Sequence, residues 1–233
     1  MIVEALLASY FDTNCWVIAP QANSECLIVD PGIVAPNMVG QISEFLKKFN
    51  LKPIATLVTH GHLDHTFSVQ PLCDGYGIPA YIHESDRRLL ADPFKALQAG
   101  GMSDQIMKQL GVNTFAEPAS VETFTDGASL DLAGFRLDIA HAPGHTAGSA
   151  IFTLDDAYLI SGDVLFAGAI GRTDMPTGSS AAMKKSLSEK ILPLADELIV
   201  LPGHGPQTTI GRERKSNPYL QADFLMSPSR AGE

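Results

Sequence analysis

Apolar residues occur along this chain in short runs that turn residues separate, a pattern typical of a layered protein built from strands and helices. Near the start, three such runs cover Val3 to Leu7, Cys15 to Ala19 and Cys26 to Val29. Thr13-Asn14 and the polar stretch from Gln21 to Ser24 separate them, and turn residues at so short a spacing favour hairpins. The pattern therefore predicts an antiparallel meander over the first thirty residues.

After the meander, apolar residues recur along the chain at helical spacing. Asn37 is a candidate N-cap for a helix that reaches about Phe49, and Lys47 and Lys48 near its end suit the negative pole of the helix dipole. The second half of the chain repeats this order of strands and helices in outline. The further predicted elements are helices over 68–76 and 180–191 and strands around 54–58, 80–82, 121–140, 149–154, 157–161 and 198–201.

Residues 92–120 have the least regular pattern, because Asp92-Pro93, Gly100-Gly101 and Pro118 interrupt any long periodicity. The segment is nevertheless too apolar for a free linker. We expect a helical insertion that packs on the core, and the alternative is a lid whose Met and Phe side chains cover a cavity.

The densest chemistry lies in Thr59 to His65, which reads T-H-G-H-L-D-H directly after the apolar run 54–58. Three imidazoles and one carboxylate in six residues form a good ligand set for a borderline divalent cation. A short apolar run rich in β-forming residues places this loop at the carboxyl end of a buried strand. The sequence therefore predicts a metal site at that strand end.

Three further loops place one candidate ligand each after an apolar run: His145, Asp163 and His204. If these strand ends converge, five histidines and two aspartates surround one cavity, enough for two metal ions. His83 and His141 have no such context, and we expect them to be structural neighbours. Asp30, in Asp30-Pro31-Gly32, is a candidate cap for the turn that follows.

These motifs resemble the metallo-β-lactamase fold superfamily, and Ser161 to Phe166 with Gly171 to Asp174 resemble its small glyoxalase II-like hydrolases. The resemblance implies an αββα sandwich of two mixed sheets flanked by helices. It also implies two metal ions, one bound by His60, His62 and His145 and the other by Asp64, His65 and His204. In this scheme Asp163 bridges the ions, and Asp64 also orients the attacking hydroxide. The resemblance also places Asp30 behind the ligands, where structural support is favoured over direct chemistry.

The resemblance further implies a hydrolase that cleaves a small thioester, such as an S-acyl glutathione, or an ester. The metals expected are zinc, with iron or manganese as alternatives. A lactonase and a mononuclear iron persulfide dioxygenase remain alternative activities, and a metal-binding protein without activity is a third. Arg172 either clamps a substrate carboxylate or pairs with Asp174, and we favour the pairing.

Composition limits the partners and the surroundings of the protein. The 233 residues, 45% hydrophobic and 18% charged, suit a single domain over residues 1–233 with a mobile tail. A net charge of −10 opposes nucleic-acid binding. The sequence contains no apolar run of about 18 residues, the length that would predict a membrane span. Without a signal-like start, we expect a cytoplasmic protein with three reduced cysteines, and its oligomeric state stays open.

Overall fold

The computed structural model describes residues 1–96, 110–111 and 114–228, and within them two six-stranded sheets. In the first sheet the strands lie side by side in chain order. The first three pair antiparallel, which confirms the predicted meander, and the last four pair parallel. These strands are β1 (Ile2–Ala8), β2 (Thr13–Ala19), β3 (Glu25–Val29), β4 (Lys52–Leu57), β5 (Ala80–His83) and β6 (Val121–Phe124).

The second sheet is also mixed, with a parallel pair beside antiparallel neighbours. Its strands are β7 (Ser129–Leu132), β8 (Phe135–His141), β9 (Ala150–Leu154), β10 (Tyr158–Gly162), β11 (Ile199–Pro202) and β12 (Thr208–Thr209). The boundary between the sheets differs from the predicted repeat of two halves. β6, expected among the strands of the second half, pairs instead with β5, where Ala80 is opposite Val121.

Alternating side chains show how the layers are stacked. On β2, Trp16 and Ile18 belong to the core cluster that also contains Phe152 of the second sheet. Their neighbours Cys15 and Val17 belong to a separate cluster on the opposite face of the first sheet. Since successive side chains of a strand point to opposite faces, β2 is covered on both sides and is apolar from Cys15 to Ala19.

Helices cover the outer faces of both sheets, which confirms the αββα sandwich. Ile42 and Leu46 pack α1 on the first sheet, and Met183 and Leu187 cover the second. The helices are α1 (Val39–Phe49), α2 (Leu63–Thr66), α3 (Val69–Tyr76), α4 (Arg88–Ala91), α5 (Ser180–Ser186), α6 (Ile210–Ser216) and α7 (Ala222–Leu225), with short 3₁₀ turns at Pro93–Ala96 and Pro218–Leu220 and a π-helical turn at Leu187–Ile191.

The predicted helix ends are close to those observed. The side chain of Asn37 accepts a hydrogen bond from the backbone N–H of Val39 at 3.0 Å, although Met38 is the residue that precedes the first turn of α1. The predicted helix over 180–191 is α-helical only to Ser186 and ends in the π-helical turn. Sequence periodicity of 3.6 residues does not distinguish a wider final turn from a regular one.

Several predictions concern residues outside the described part of the chain. Of the segment 92–120, residues 97–109 and 112–113 are not described, so the lid stays a prediction. Phe94, Leu110 and Phe115 pack against a buried cluster that includes Ile33 and Leu63. The predicted mobile tail falls largely on residues 229–233, which are also outside the described part. Among the described helices, none is long and apolar enough to cross a membrane.

All three cysteines are free and buried, as expected. Burial raises the pKa of the Cys26 thiol to about 12 and that of the Cys73 thiol to about 11. Thiols with such raised pKa values carry very little thiolate near neutral pH and act as small apolar core residues.

Candidate metal centre

The loops that carry the candidate ligands meet at one edge of the sandwich, beyond the ends of β4, β8, β10 and β11. Backbone hydrogen bonds tie these loops together. The N–H of Ala150 donates to the carbonyl of Thr59 at 2.9 Å, and the N–H of Gly203 donates to the carbonyl of Gly162 at 2.9 Å. The predicted convergence of strand ends is therefore present in the fold.

One group of ligand atoms consists of the imidazoles of His60, His62 and His145. Their ligand atoms lie within 4.8 Å of one another, and all three residues are buried. Nδ1 of His62 is 2.8 Å from Nε2 of His145. Ring nitrogens at this separation share one hydrogen bond and point into one small volume, where a cation in place of the proton would meet the nitrogen ligands that a tetrahedral site requires.

A second group contains Asp64, His65 and His204, whose ligand atoms also lie within 4.8 Å of one another. Nε2 of His65 is 3.2 Å from Nε2 of His204, and Nε2 of His204 is 3.3 Å from Oδ2 of Asp64. This group combines two imidazoles with one carboxylate. Such a mixed set of nitrogen and oxygen donors suits zinc, iron and manganese.

The carboxylate of Asp163 lies between the two groups. Its Oδ2 is 3.4 Å from Nε2 of His145 in the first group and 3.5 Å from Nε2 of His204 in the second. Its Oδ1 is 3.4 Å from Nε2 of His65. One carboxylate therefore faces ligand atoms of both groups, the position that a bridging ligand needs.

Unpaired buried atoms show that this donor set fits a cation. Nε2 of His60 and Oδ1 of Asp163 are buried and have no hydrogen-bond partner. A buried polar atom without a partner costs free energy that a bound cation would offset. The seven residues predicted from the sequence thus come together in one place with unsatisfied atoms among them.

Contacts behind the ligands fix their ring orientations. Nδ1 of His145 donates to the backbone carbonyl of Arg172 at 2.8 Å, and Nδ1 of His204 donates to that of Phe11 at 3.0 Å. Nδ1 of His65 lies 3.0 Å from Oδ2 of Asp30. Because the outer nitrogen of each ring is engaged, Nε2 is the nitrogen that faces the site. The supporting position predicted for Asp30 agrees with this contact.

Asp86 also supports the site, and the sequence pattern did not indicate it. Its buried carboxylate accepts hydrogen bonds from the N–H of Gly61 and of Gly148, both at 2.8 Å, and from the hydroxyl of Thr146 at 2.6 Å. It therefore joins the loop of His60 and His62 to the loop of His145. No glycine or proline bend marks Asp86 in the sequence, so its part is visible only from the contacts.

The two groups differ in their electrostatics. Burial lowers the pKa of His62 to about 3 and that of His60 well below its usual value, so both imidazoles are neutral. Burial also acts to lower the pKa of His204, but hydrogen bonds to Asp163 and Asp64 outweigh it and raise that pKa to about 9. The carboxylates thus concentrate negative charge around the second group, which favours a cation there.

The remaining candidates occupy other positions. The rings of His83 and His141 stack with centroids 3.9 Å apart, and neither belongs to the ligand groups found among the described residues. The guanidinium of Arg172 makes two hydrogen bonds to Asp174, at 2.7 and 2.6 Å, which is the pairing that we favoured. Arg172 also lies on the wall of the cavity above the ligands.

That cavity has a volume of about 400 Å³ and opens onto His62, Asp64, His145, Asp163 and His204. The other walls are mainly apolar. A substrate in the cavity would thus lie against the candidate ligands on one side and against hydrocarbon on the others. The apolar wall residues are Phe11, Ile33, Leu63, Phe166 and Met175.

Comparison with known proteins places this arrangement in a family. The model of the metallo-beta-lactamase superfamily matches residues 9–204, a span that contains all seven candidate ligands. An uncharacterized protein of Mycobacterium tuberculosis is 40% identical over 228 residues, which cover 95% of this chain and 98% of that protein. The hydroxyacylglutathione hydrolase GloC of Haemophilus influenzae is 34% identical over 95% of this chain and 99% of its own length.

Solved structures with sequence similarity share the same fold. The crystal structure of the BLEG-1 B3 metallo-beta-lactamase superposes with a TM-score of 0.80 at 34% identity, covering 95% of this chain and all of that one. The structure of TTHA1623 in a di-iron-bound form superposes with a TM-score of 0.76 at 30% identity, covering 94% of this chain and all of that one.

Proposed function

This chain belongs to the metallo-β-lactamase superfamily, and on that premise we propose that it is a hydrolase that uses two divalent cations to cleave a small thioester. The observation that carries the proposal is the pair of ligand groups that share Asp163 beneath one cavity. GloC, a related protein named for hydroxyacylglutathione hydrolysis, supports the choice of thioesters.

The proposed sites follow the two groups. His60, His62 and His145 would hold one cation, Asp64, His65 and His204 would hold the other, and Asp163 would contact both. Divalent cations in such a pair lower the pKa of bound water towards neutrality and polarise a substrate carbonyl. We favour zinc as the cation because the ligands are mostly imidazoles, and the di-iron form of TTHA1623 keeps iron as an alternative.

The protein residues contribute orientation and charge. Oδ2 of Asp64 faces His204 and His65, which would leave Oδ1 to accept a hydrogen bond from the attacking hydroxide and so orient it. The neutral imidazoles of His60 and His62 add no negative charge to their group, so that side of the site favours the negative charge that develops on the substrate oxygen. For these tasks the carboxylates and imidazoles must stay at fixed positions. The contacts to Asp30 and Asp86 hold them there.

The choice of leaving group follows from the proton donors at the cavity wall. Outside the ligand groups, Arg172 is the one described wall residue whose side chain carries N–H groups. Its hydrogen bonds to Asp174 raise the pKa of its guanidinium. A guanidinium held in this way is a poor proton donor. A thiolate leaves without protonation, since thiol pKa values are about 8.5, whereas an amide nitrogen requires a proton. The site therefore favours thioesters over amides.

The test is thioester hydrolysis by metal-loaded protein. Protein freed of metal with a chelator is reloaded with zinc, iron or manganese, and release of thiol from S-lactoyl glutathione and from a second acyl glutathione is followed. We expect metal-dependent turnover that falls by more than about a hundredfold when His145 is replaced by Ala. His83→Gln is the matched control, because His83 is a buried histidine outside both ligand groups.

Three results would contradict the proposal. Metal-loaded protein that consumes oxygen with a persulfide substrate and leaves thioesters intact would identify the dioxygenase alternative. Protein that cleaves lactones but no thioester would identify a lactonase. Activity that survives in the His145 variant would show that the assigned ligands are wrong.

A further inference from the structure

The walls of the cavity differ sharply in polarity, and this difference bears on the substrate. The polar side chains among its described lining residues are the candidate ligands and Arg172. Ile33 and Leu63 are 1% and 6% exposed and continue into the buried cluster that contains Phe67. A carbonyl held at the ligands would therefore have a hydrocarbon surface beside it.

A second apolar surface lies beside His204. The ring of Phe166 meets the imidazole of His204 edge to face, with centroids 5.9 Å apart. Phe11 also lines the cavity, and its carbonyl accepts the hydrogen bond from Nδ1 of His204. Two aromatic side chains thus flank one candidate ligand and face the same cavity as Ile33 and Leu63.

Phe11 has an unusual conformation for such a residue. Its φ of 63° is left-handed, and its side chain is 68% exposed. A bulky residue at positive φ is strained, and an exposed phenyl ring gains little from burial. The fold thus holds an aromatic ring at the cavity mouth under strain. A bound apolar group would bury this ring.

The charge on the cavity wall also favours an uncharged acyl group. Arg172 is the one cation among the described wall residues outside the ligand groups, and the carboxylate of Asp174 occupies the Nε–Nη2 edge of its guanidinium. The Arg172 side chain is 61% exposed, so Asp174 and water already offset its charge. The described wall therefore offers no buried, uncompensated cation for a charged acyl group.

We propose that the acyl group of the substrate is an unbranched hydrocarbon chain, such as butanoyl or hexanoyl, and not a small hydroxyacyl group. This inference rests on the proposed thioester hydrolysis at the same site. The chain would lie between Ile33 and Leu63 on one side and Phe11 and Phe166 on the other. A hydroxyl placed there would lose its water without gaining a partner among the described side chains.

The test keeps the thiol constant so that contacts to the thiol carrier cancel. Acetyl, lactoyl, butanoyl and hexanoyl thioesters of glutathione are compared by kcat/KM. We expect kcat/KM to rise about threefold for each added methylene group. Lactoyl should be no better than acetyl. Calorimetry should detect tighter binding of hexanoate than of lactate to the metal-loaded protein, with a negative heat-capacity change.

Two variants test which side chain causes the preference for longer acyl chains. Phe11→Ala should lower the ratio of hexanoyl to acetyl kcat/KM by about fivefold or more, since a large aromatic contact is lost. Tyr10→Ala is the matched control, because Tyr10 is the exposed neighbouring aromatic and does not line the cavity. It should leave the ratio unchanged.

The outcomes separate the two proposals. No cleavage of any thioester would overturn the proposed function itself. Cleavage with equal or lower kcat/KM for hexanoyl than for lactoyl would overturn the acyl-chain inference and leave the hydrolase intact. A preference for hexanoyl that Phe11→Ala and Tyr10→Ala reduce equally would show that the chain does not lie against Phe11.

Discussion

Asp163 is the residue on which the two-metal account depends most. It has oxygen atoms near ligands of both groups, and one of them is buried without a hydrogen-bond partner. If it bridges two cations, its loss should affect both sites, whereas loss of a terminal ligand should mainly affect one.

We predict that Asp163→Asn lowers kcat/KM by more than about a hundredfold and weakens the binding of at least one metal, because an amide bridges cations poorly. Asp156→Asn is the matched control, since Asp156 lies in the exposed turn before β10 and has a φ of 52° that Asn tolerates well. Metal titration and thioester kinetics on both variants provide the measurement. Wild-type kinetics in Asp163→Asn would remove the bridge from the account.

Arg172 gives a prediction in the opposite direction. Because its guanidinium is exposed and paired with Asp174, we expect Arg172→Ala to change KM less than about threefold. The backbone carbonyl that receives Nδ1 of His145 remains in this variant, so the ligand should keep its orientation. Steady-state kinetics with an acyl glutathione test the point. A tenfold or larger rise in KM in a stable variant would restore the substrate clamp.

At the residue scale, the sequence pattern predicted the candidate metal ligands better than the residues that support them. The ligands are marked by rare residue types beside Gly or Pro bends, so His145, Asp163 and His204 could be selected from the sequence. Asp86 has no such mark, because its importance comes from three donors that lie up to 62 residues away. Long-range hydrogen bonds of this kind leave no local pattern.

The loops at the strand ends are the elements that set the geometry of the site, and Asp86 is the side chain that joins two of them. We predict that Asp86→Ala destabilises the protein by about 2 to 4 kcal/mol, because buried donors of Gly61, Gly148 and Thr146 lose their acceptor. Metal affinity should fall by about 10-fold to 100-fold. Urea unfolding of the metal-free protein separates the two effects.

Asp86→Asn is the control for this element, since its amide keeps one acceptor oxygen and the side-chain volume. It should lie between wild type and Asp86→Ala in stability. If Asp86→Ala unfolds at the wild-type urea concentration and binds metal with wild-type affinity, the link between the two loops does not matter to the site.

Helices and strands that depend on local sequence pattern were predicted correctly. A strand whose pairing partner is distant in sequence was not. Apolar runs separated by turn residues located the meander, and helical spacing with its end signals located α1 and α3, to within a residue or two. The assignment of β6 was wrong because parallel pairing of Ala80 with Val121 joins segments about forty residues apart. The connection includes undescribed residues, and nothing in the local sequence of β6 selects its partner strand.

At the scale of the whole molecule, metal binding should stabilise the fold, because the ligand groups join loops from both sheets. We predict that removal of metal with a chelator lowers Tm by roughly 5 to 15 °C for a chain of this length. Scanning calorimetry before and after chelation measures the change, and restoration by added zinc or iron is the control for damage by the chelator. An unchanged Tm would show that the described fold does not depend on metal.

The fold class could be predicted as a whole because every layer has its own apolar pattern and the ligand motifs have the order of the family. The proposed acyl group could not, since the cavity walls that would contact it come from residues that have no distinctive sequence pattern and meet only in the folded chain: Phe11, Ile33, Leu63 and Phe166. The wall polarity that distinguishes one acyl group from another is a property of the folded chain.

The number of metal ions bound per chain decides whether the protein has a two-metal site. Protein purified without chelator and supplied with excess zinc or iron is freed of loose metal by gel filtration, and its metal content is measured by elemental analysis against protein concentration. We expect two equivalents per chain, falling towards one in His204→Ala. A wild-type value that stays at one equivalent under excess metal would contradict the two-metal site.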